Sequence, residues 1–260
     1  PALTGARLLA AGSAAAGAAV LAMAVVACSA PLFLGIVLVA VLGVVAGVPS
    51  LYGVSPESSA AVIIVVTVFL GAFIPGLSFR LSGLRLPLLP RNAEELQEDI
   101  EPFPAGEVIA RSAVASAYLT SLQVAIASVC AVAGTLLGLA DGWAPRTMAA
   151  VLGLLLVLHA RAIGSMWQRL AMLVPGVTAG GLLLARHVLA EDDTGRMTVL
   201  AGLLGVACAL LVVAWTIPGR RLLPYWGRAA DMLHTLAALS LFPLTLFVTG
   251  AFHALRAISG

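Results

Sequence analysis

The sequence predicts an all-α fold, a polytopic transmembrane helix bundle with about eight membrane spans. Of its 260 residues, 61% are hydrophobic and only 10% are charged, whereas a soluble domain carries roughly 25% charged residues. The apolar residues fall into runs of about twenty, the length that an α-helix needs to cross a bilayer core of about 30 Å. A transmembrane β-barrel would show short alternating segments instead. Composition and run length therefore favour a helical membrane protein over a soluble globule or a barrel.

The apolar runs define the spans and the connections between them. The first two runs are separated only by Ser29, Ala30 and Pro31, which predicts a tight hairpin, and the fifth is cut short by Arg161. The division is three spans in residues 1–79, a long loop in 80–112 and five spans in 113–260. The predicted spans lie near residues 8–29, 32–49, 58–79, 114–139, 147–163, 168–189, 198–217 and 233–255.

Arginine distribution predicts the orientation. All 14 basic residues are arginine, and basic residues concentrate in cytoplasmic loops. If the 80–112 loop is cytoplasmic, alternation of the spans places nine arginines on that side and five on the other. An even number of spans leaves both ends of the chain outside. The chain begins at Pro1 rather than Met, so we expect it to be a piece of a longer protein. A cytoplasmic N-terminus would then require an odd number of preceding spans.

The 80–112 loop is the one long polar stretch. Its first part is basic and apolar, with Arg80 and Arg85, which suits a segment at the lipid headgroups. An acidic cluster with helical spacing follows, and Glu107 and Arg111 are then spaced to pair at i,i+4. The sequence leaves open whether the loop is a solvated connector or a docking surface for a basic cytoplasmic partner. The acidic cluster comprises Glu94, Glu95, Glu98 and Asp99, with Glu101 behind it.

Catalytic and transport signatures are missing from the predicted spans. No carboxylate lies near a predicted bilayer midplane, where coupled transporters carry ionisable groups. The four histidines lie near span ends without the spacing of a metal motif, and no nucleophile elbow or phosphate-binding loop occurs. We therefore expect no enzyme, no cofactor and no metal. The net charge of +2 does not indicate nucleic-acid binding.

Paired glycines indicate close helix packing. Glycines four residues apart let two transmembrane helices approach closely. The chain has 26 glycines, so each pair is weak evidence by itself. The pairs are Gly43 with Gly47, Gly134 with Gly138, and Gly176 with Gly180.

Three stretches resemble a known family. The sequence is similar to EccD, the multi-spanning membrane component of mycobacterial type VII (ESX) secretion systems, over most of the chain from about residue 56 onward. The stretches are residues 217–231, which contain Tyr225-Trp226-Gly227-Arg228; residues 75–84, leading to Leu89-Pro90; and Arg161 followed by Gln168-Arg169.

The resemblance implies a longer architecture. Family members have a cytoplasmic ubiquitin-like N-terminal domain followed by eleven spans. The eight predicted here would be the last eight, and the soluble domain and three spans would be absent. Three is an odd number, as the arginine distribution requires. The 80–112 loop would be cytoplasmic and the C-terminus periplasmic, in the bacterial inner membrane.

The resemblance also implies a function. It indicates a non-enzymatic structural subunit that pairs with a second EccD copy and assembles with EccB, with the ATPase EccC and with EccE, amid membrane lipids. The cytoplasmic loops would supply the docking residues. Besides Arg80, Arg85 and the acidic cluster, these are Arg161, Arg169, Arg220, Arg221, Tyr225, Trp226 and Arg228.

A second function stays open from the sequence. A polytopic secondary transporter of a small solute would have a similar composition and number of spans. The lack of midplane carboxylates weighs against it, although further spans could carry them.

Overall fold

The computed structural model describes residues 12–21, 30–84, 104–216 and 224–252, and these ranges hold helices and turns but no strand. The all-α prediction is confirmed. In chain order the helices are α1 (Gly12–Leu21), α2 (Ala30–Leu51), α3 (Pro56–Gly71), α4 (Ile74–Leu81), α5 (Ala105–Leu139), α6 (Trp143–Ala160), α7 (Met166–Ala190), α8 (Asp193–Thr216) and α9 (Pro224–Val248).

The described residues account for six or seven membrane spans. Helices α2 and α5 to α9 are each long and apolar enough to cross a bilayer, and α3 with α4 makes a seventh span if the bent pair is counted as one. The first predicted span, 8–29, overlaps α1, which is shorter than a full crossing. Residues 8–11 and 22–29 of that prediction lie outside the described ranges.

The third predicted span is broken rather than continuous. Helix α3 ends at Gly71, α4 begins at Ile74, and the two axes differ by 52°. Pro75 follows the break and has no N–H to continue the hydrogen-bond ladder. The chain instead makes two tight turns, in which Ala72 N–H donates to Phe69 O at 3.2 Å and Phe73 N–H donates to Leu70 O at 3.0 Å. A proline in an apolar run thus produces a bent span.

Three helices begin earlier than the hydropathy pattern predicts. Helix α5 starts at Ala105 instead of 114, α6 at Trp143 instead of 147, and α9 at Pro224 instead of 233. Prolines near each start fit these positions because the first helical N–H groups have no intrahelical partner. The helical part of the chain therefore extends into segments that the sequence analysis assigned to loops, including Tyr225, Trp226 and Arg228.

The chain divides into two compact units, which are described separately. The first comprises the described parts of residues 1–54 and 66–129, and the second those of 55–65 and 130–260. In the first unit, α2 and α5 meet where Gly35 faces Ser121: a Cβ on Gly35 would overlap the Ser121 hydroxyl. Leu42 and Leu122 are almost wholly buried there.

In the second unit, α6 is the central helix and packs against α7 and α9. Met148 and Leu152 on α6 are fully buried. Its closest approach to α7 pairs two glycines, because a Cβ added to Gly153 would lie 3.0 Å from Gly176 O. On the other side, the buried Thr245 of α9 donates to Leu241 O at 2.8 Å within its own helix, which satisfies the hydroxyl in an apolar setting.

Helix α8 has no buried residue along its length. It contacts α7, and its outer side chains are apolar. Trp215 near its end is 89% exposed. An apolar helix this exposed requires lipid or another protein around it.

The Gly153–Gly176 approach predicts a position-specific effect of adding one methyl group. A Cβ on Gly176 would lie 2.9 Å from Gly153 O and 3.0 Å from Val157 Cγ2, whereas a Cβ on Gly180, one turn later, meets nothing within 4 Å. Gly176→Ala is expected to lower the free energy of unfolding by about 1–3 kcal/mol through overpacking.

Gly180→Ala is the matched control. It should be neutral or stabilising by up to about 1 kcal/mol, because alanine favours helix more than glycine does. Reversible unfolding in mixed detergent micelles measures both variants. Equal losses in the two would contradict the close approach of α6 and α7.

Candidate functional site

One end of the second unit gathers several of the predicted docking residues. Arg161 follows α6 directly and forms an ion pair with Asp231 near the start of α9. Arg169 in the first turns of α7 donates to Ile163 O from Nε at 3.1 Å and from Nη2 at 2.7 Å. Both arginines therefore hold the chain's own structure together. Asp231 is not among the docking residues that the sequence predicts.

Exposed aromatic and basic side chains surround these pairs. Tyr225 and Trp226 in the first turn of α9 are 70% and 69% exposed, and Trp167 at the start of α7 is similarly open. Arg228 is also exposed. Aromatic rings beside arginines are typical of the lipid headgroup region and of protein interfaces. We call this set, Arg161, Arg169, Tyr225, Trp226 and Arg228, the Arg161 surface.

Two histidines lie beside the Arg161–Asp231 ion pair. His159 in the last turn of α6 stacks on His234 of α9, with ring centroids 5.6 Å apart and planes inclined by 25°. Both side chains are partly buried. The sequence shows four separate histidines near span ends and gives no sign that these two meet, because they are far apart along the chain.

The opposite end of this unit carries a second group of charges. Arg186 of α7 donates from Nη1 to Gly138 O at 3.2 Å and to Leu139 O, and from Nη2 to Asp141 at 3.1 Å. Arg146 adds a 3.1 Å bond to Asp141 and a 3.3 Å bond to Ala140 O. Positive charge at a helix C-terminus offsets the macrodipole and the unpaired carbonyls there. Arg186 and Arg146 therefore supply hydrogen-bond donors to the carbonyls at the C-terminal end of α5.

The predicted docking residues of the long loop fall mostly outside the described residues. Arg80 lies exposed in the last turn of α4. Arg111 pairs with Glu107, as their spacing predicts, and also donates to Gly83 O, so it connects the start of α5 to the end of α4. The residues outside the described ranges are Arg85, Glu94, Glu95, Glu98, Asp99, Arg220 and Arg221.

The glycine pairs have mixed environments. A Cβ on Gly134 would lie 3.2 Å from Leu152 Cδ2, and one on Gly138 would lie 2.9 Å from Leu182 Cδ2. Gly47 is buried, whereas the positions of Gly43 and Gly180 are open. No glycine lies four residues from Gly153 in the sequence. The glycine pattern therefore did not predict the contact of Gly153 with Gly176.

The geometry defines a class of protein. Within the described ranges, charged groups pair at helix ends, and no cluster of three histidine, cysteine or acidic side chains could hold a metal ion. The first unit contains a cavity of about 1090 Å³ between α1, α2 and α5, lined by apolar and hydroxyl residues. These features define a polytopic helical membrane protein whose described ion pairs lie at helix ends.

Comparison with known proteins identifies the family. Residues 1–258 match the model of the EccD-like transmembrane domain, and the chain belongs to this family. The resemblance drawn from the three sequence stretches is therefore confirmed. A relative, the ESX-5 secretion system protein EccD5 of Mycobacterium marinum (strain ATCC BAA-535 / M), is 23% identical over 205 residues, which cover 70% of this chain and 41% of the relative.

Two solved structures share the fold. One is protomer 1 of the ESX-3 core complex, with a TM-score of 0.68 and 17% identity over 98% of this chain and 59% of that one. The other is the MycP5-free ESX-5 inner membrane complex in State II, with a TM-score of 0.59 and 22% identity over 82% and 50% of the two chains. The chain thus spans about half the length of the proteins it matches.

Termination of α5 by Arg186 predicts a stability loss. Arg186→Gln is expected to lower the free energy of unfolding by about 1–2 kcal/mol, because it removes the donor to the Gly138 and Leu139 carbonyls at the end of α5. Asp141 keeps its bond from Arg146. Reversible unfolding in mixed detergent micelles measures the free energy of unfolding of the variant and of the parent protein.

Arg196→Gln is the matched control. Arg196 forms a 3.2 Å ion pair with Asp193, whose side chain is 99% exposed. Such a pair contributes about 0.2–1 kcal/mol, so the control should lose less than Arg186→Gln. If Arg196→Gln lowers the free energy of unfolding as much as Arg186→Gln or more, the result contradicts the predicted contribution of Arg186 at the end of α5.

Proposed function

We propose that this chain is the membrane domain of a non-enzymatic structural subunit in a type VII (ESX) protein secretion complex. The observation that carries the proposal is the family match over residues 1–258. The two structural neighbours, which come from the ESX-3 core complex and the ESX-5 inner membrane complex, support it through their fold. The subunit would lie in the bacterial inner membrane, with the 80–112 loop cytoplasmic and the C-terminus periplasmic.

The surfaces of the domain suit a scaffold. Helix α8 is apolar and has no buried residue, so it can pack against lipid, a second EccD copy or another subunit. The Arg161 surface presents exposed aromatic and basic side chains of the kinds enriched at interface centres. The proposed partners are a second EccD copy, EccB, the ATPase EccC, EccE and membrane lipids, and no nucleic acid is expected.

A test of the scaffold begins with native extraction. The full-length protein is extracted in mild detergent and separated on a native gel, and the co-migrating chains are identified by mass spectrometry. A megadalton-scale band that contains the ATPase would support the proposal. A small homo-oligomer without the ATPase, reproduced under gentler extraction, would contradict it.

Arginine substitutions test the docking role. Two of the predicted docking arginines, Arg220 and Arg221, precede α9 in the sequence. The third, Arg228, is exposed near the start of α9. Replacing all three with alanine is expected to reduce recovery of the ATPase with this subunit by about tenfold, equivalent to about 1.4 kcal/mol. Quantitative mass spectrometry of the purified complex measures the ratio of the ATPase to this subunit.

Arg196→Ala is the control for that experiment. Arg196 lies at the start of α8, on the membrane side that the arginine distribution predicts to be periplasmic. The control should leave ATPase recovery unchanged. Normal recovery with the triple variant would remove the proposed role of these arginines.

The alternative, a secondary transporter, has one structural observation in its favour. The bent span formed by α3 and α4 resembles the discontinuous helices that line transporter sites. Among the described residues that line the cavity of the first unit, however, none is charged. Its Thr120 and Ser128 hydroxyls donate to carbonyls of their own helix at 2.8 Å. A substrate-dependent signal in proteoliposomes of the purified protein would favour transport over scaffolding.

A further inference from the structure

Helices α6 and α9 are joined by two neighbouring interactions, the stacked His159 and His234 rings and the Arg161–Asp231 ion pair. His159 lies two residues before Arg161 on the chain, and His234 lies three residues after Asp231. Both interactions join the same two helices, one through stacked rings and one through opposite charges. Residues three apart on a helix are neighbours on its surface, so the His234 ring and the Asp231 carboxylate share a face of α9.

Protonation of the imidazoles changes the charges across this contact. Two imidazolium rings 5.6 Å apart repel each other, and the partial burial of both rings strengthens that repulsion. The basic residue nearest along α6 is Arg161, two residues after His159, and Arg228 lies six residues before His234 on α9. Asp231 is the acidic neighbour on α9, and it is already paired with Arg161. A protonated His234 therefore competes with Arg161 for the same carboxylate.

We propose that the His159–His234 pair and the Arg161–Asp231 ion pair form a proton-sensitive contact between α6 and α9. With neutral rings, the imidazoles stack and Asp231 binds Arg161. With protonated rings, mutual repulsion and competition for Asp231 separate this end of α9 from α6. The effect would alter the Arg161 surface, because Tyr225, Trp226 and Arg228 lie on the same helix as His234. This inference goes beyond the scaffold role and depends only on the α6–α9 geometry.

Distance measurement between the two helices tests the proposal. Spin labels are placed at Ala162 and Ala229, which are both exposed, in the full-length protein with its native cysteines replaced by alanine, in nanodiscs. Pulsed electron paramagnetic resonance then gives the distance distribution at each pH. We expect one population at about pH 8 and a second, longer one that grows toward about pH 5, the range over which histidines change charge.

Two variants assign the change to the histidine pair. In His159→Phe/His234→Phe, two uncharged rings preserve stacking, so the short distance should persist at every pH. His187→Gln is the matched control, because His187 lies near the other end of α7 beside Glu191, at 3.6 Å, and the pH response should remain. No pH-dependent change in the parent protein, or an unaltered response in the double Phe variant, would overturn the proposal.

Asp231→Asn distinguishes protonation of the histidines from protonation of the Asp231 carboxylate. Loss of the carboxylate charge also removes the ion pair with Arg161, so part of the longer population should already be present at about pH 8. That population should still grow toward about pH 5, because both histidines remain. Complete loss of the transition in Asp231→Asn alone would assign it to protonation of Asp231 and would contradict the histidine mechanism.

Discussion

The hydrocarbon interior of a membrane allows no unpaired polar group at low cost, and this constraint organises the molecule. Each backbone N–H and C=O must be satisfied within its own segment, so membrane-crossing segments become helices. Several hydroxyl side chains follow the same rule: Thr120, Thr135 and Thr245 each donate to the carbonyl four residues earlier in their own helix. The buried hydroxyls of Ser59 and Thr67 are exceptions among the described residues, since they have no hydrogen-bond partner. The polar groups that remain lie mainly at helix ends, where water and headgroups are within reach.

The helix ends of the second unit therefore carry most of the polar connections within the chain. At one end of the second unit, Arg186 and Arg146 converge on Asp141 and on the final carbonyls of α5. At the other end, Arg161 joins α9 through Asp231, and Arg169 binds the turn between α6 and α7. Arginine suits these positions because its planar guanidinium offers several donors in a fixed geometry. One residue type thus provides most of the connections at these helix ends.

Inside the second unit, packing rather than polarity sets the arrangement. The contact of Gly153 with Gly176 brings the backbones of α6 and α7 together, as small residues do where lipid provides no hydrophobic driving force between helices. Helix α8 lacks such contacts and leaves its apolar surface to the surroundings. A domain with a tightly packed central helix and an open outer helix can be rigid while still offering a surface for assembly.

The sequence by itself determined the all-α membrane class, most span positions and the Glu107–Arg111 pair, because apolar length and i,i+4 spacing are local properties. It also identified the family, through motifs that keep their residues in order along the chain. It did not place the early starts of α5, α6 and α9, since average hydropathy underestimates helical turns that contain proline, charged or aromatic residues. Only the tertiary structure decided that Arg161 meets Asp231, that His159 stacks on His234 and that Gly153 faces Gly176. Those partners lie on different helices, and the choice among them depends on how helices pack, which no local pattern encodes.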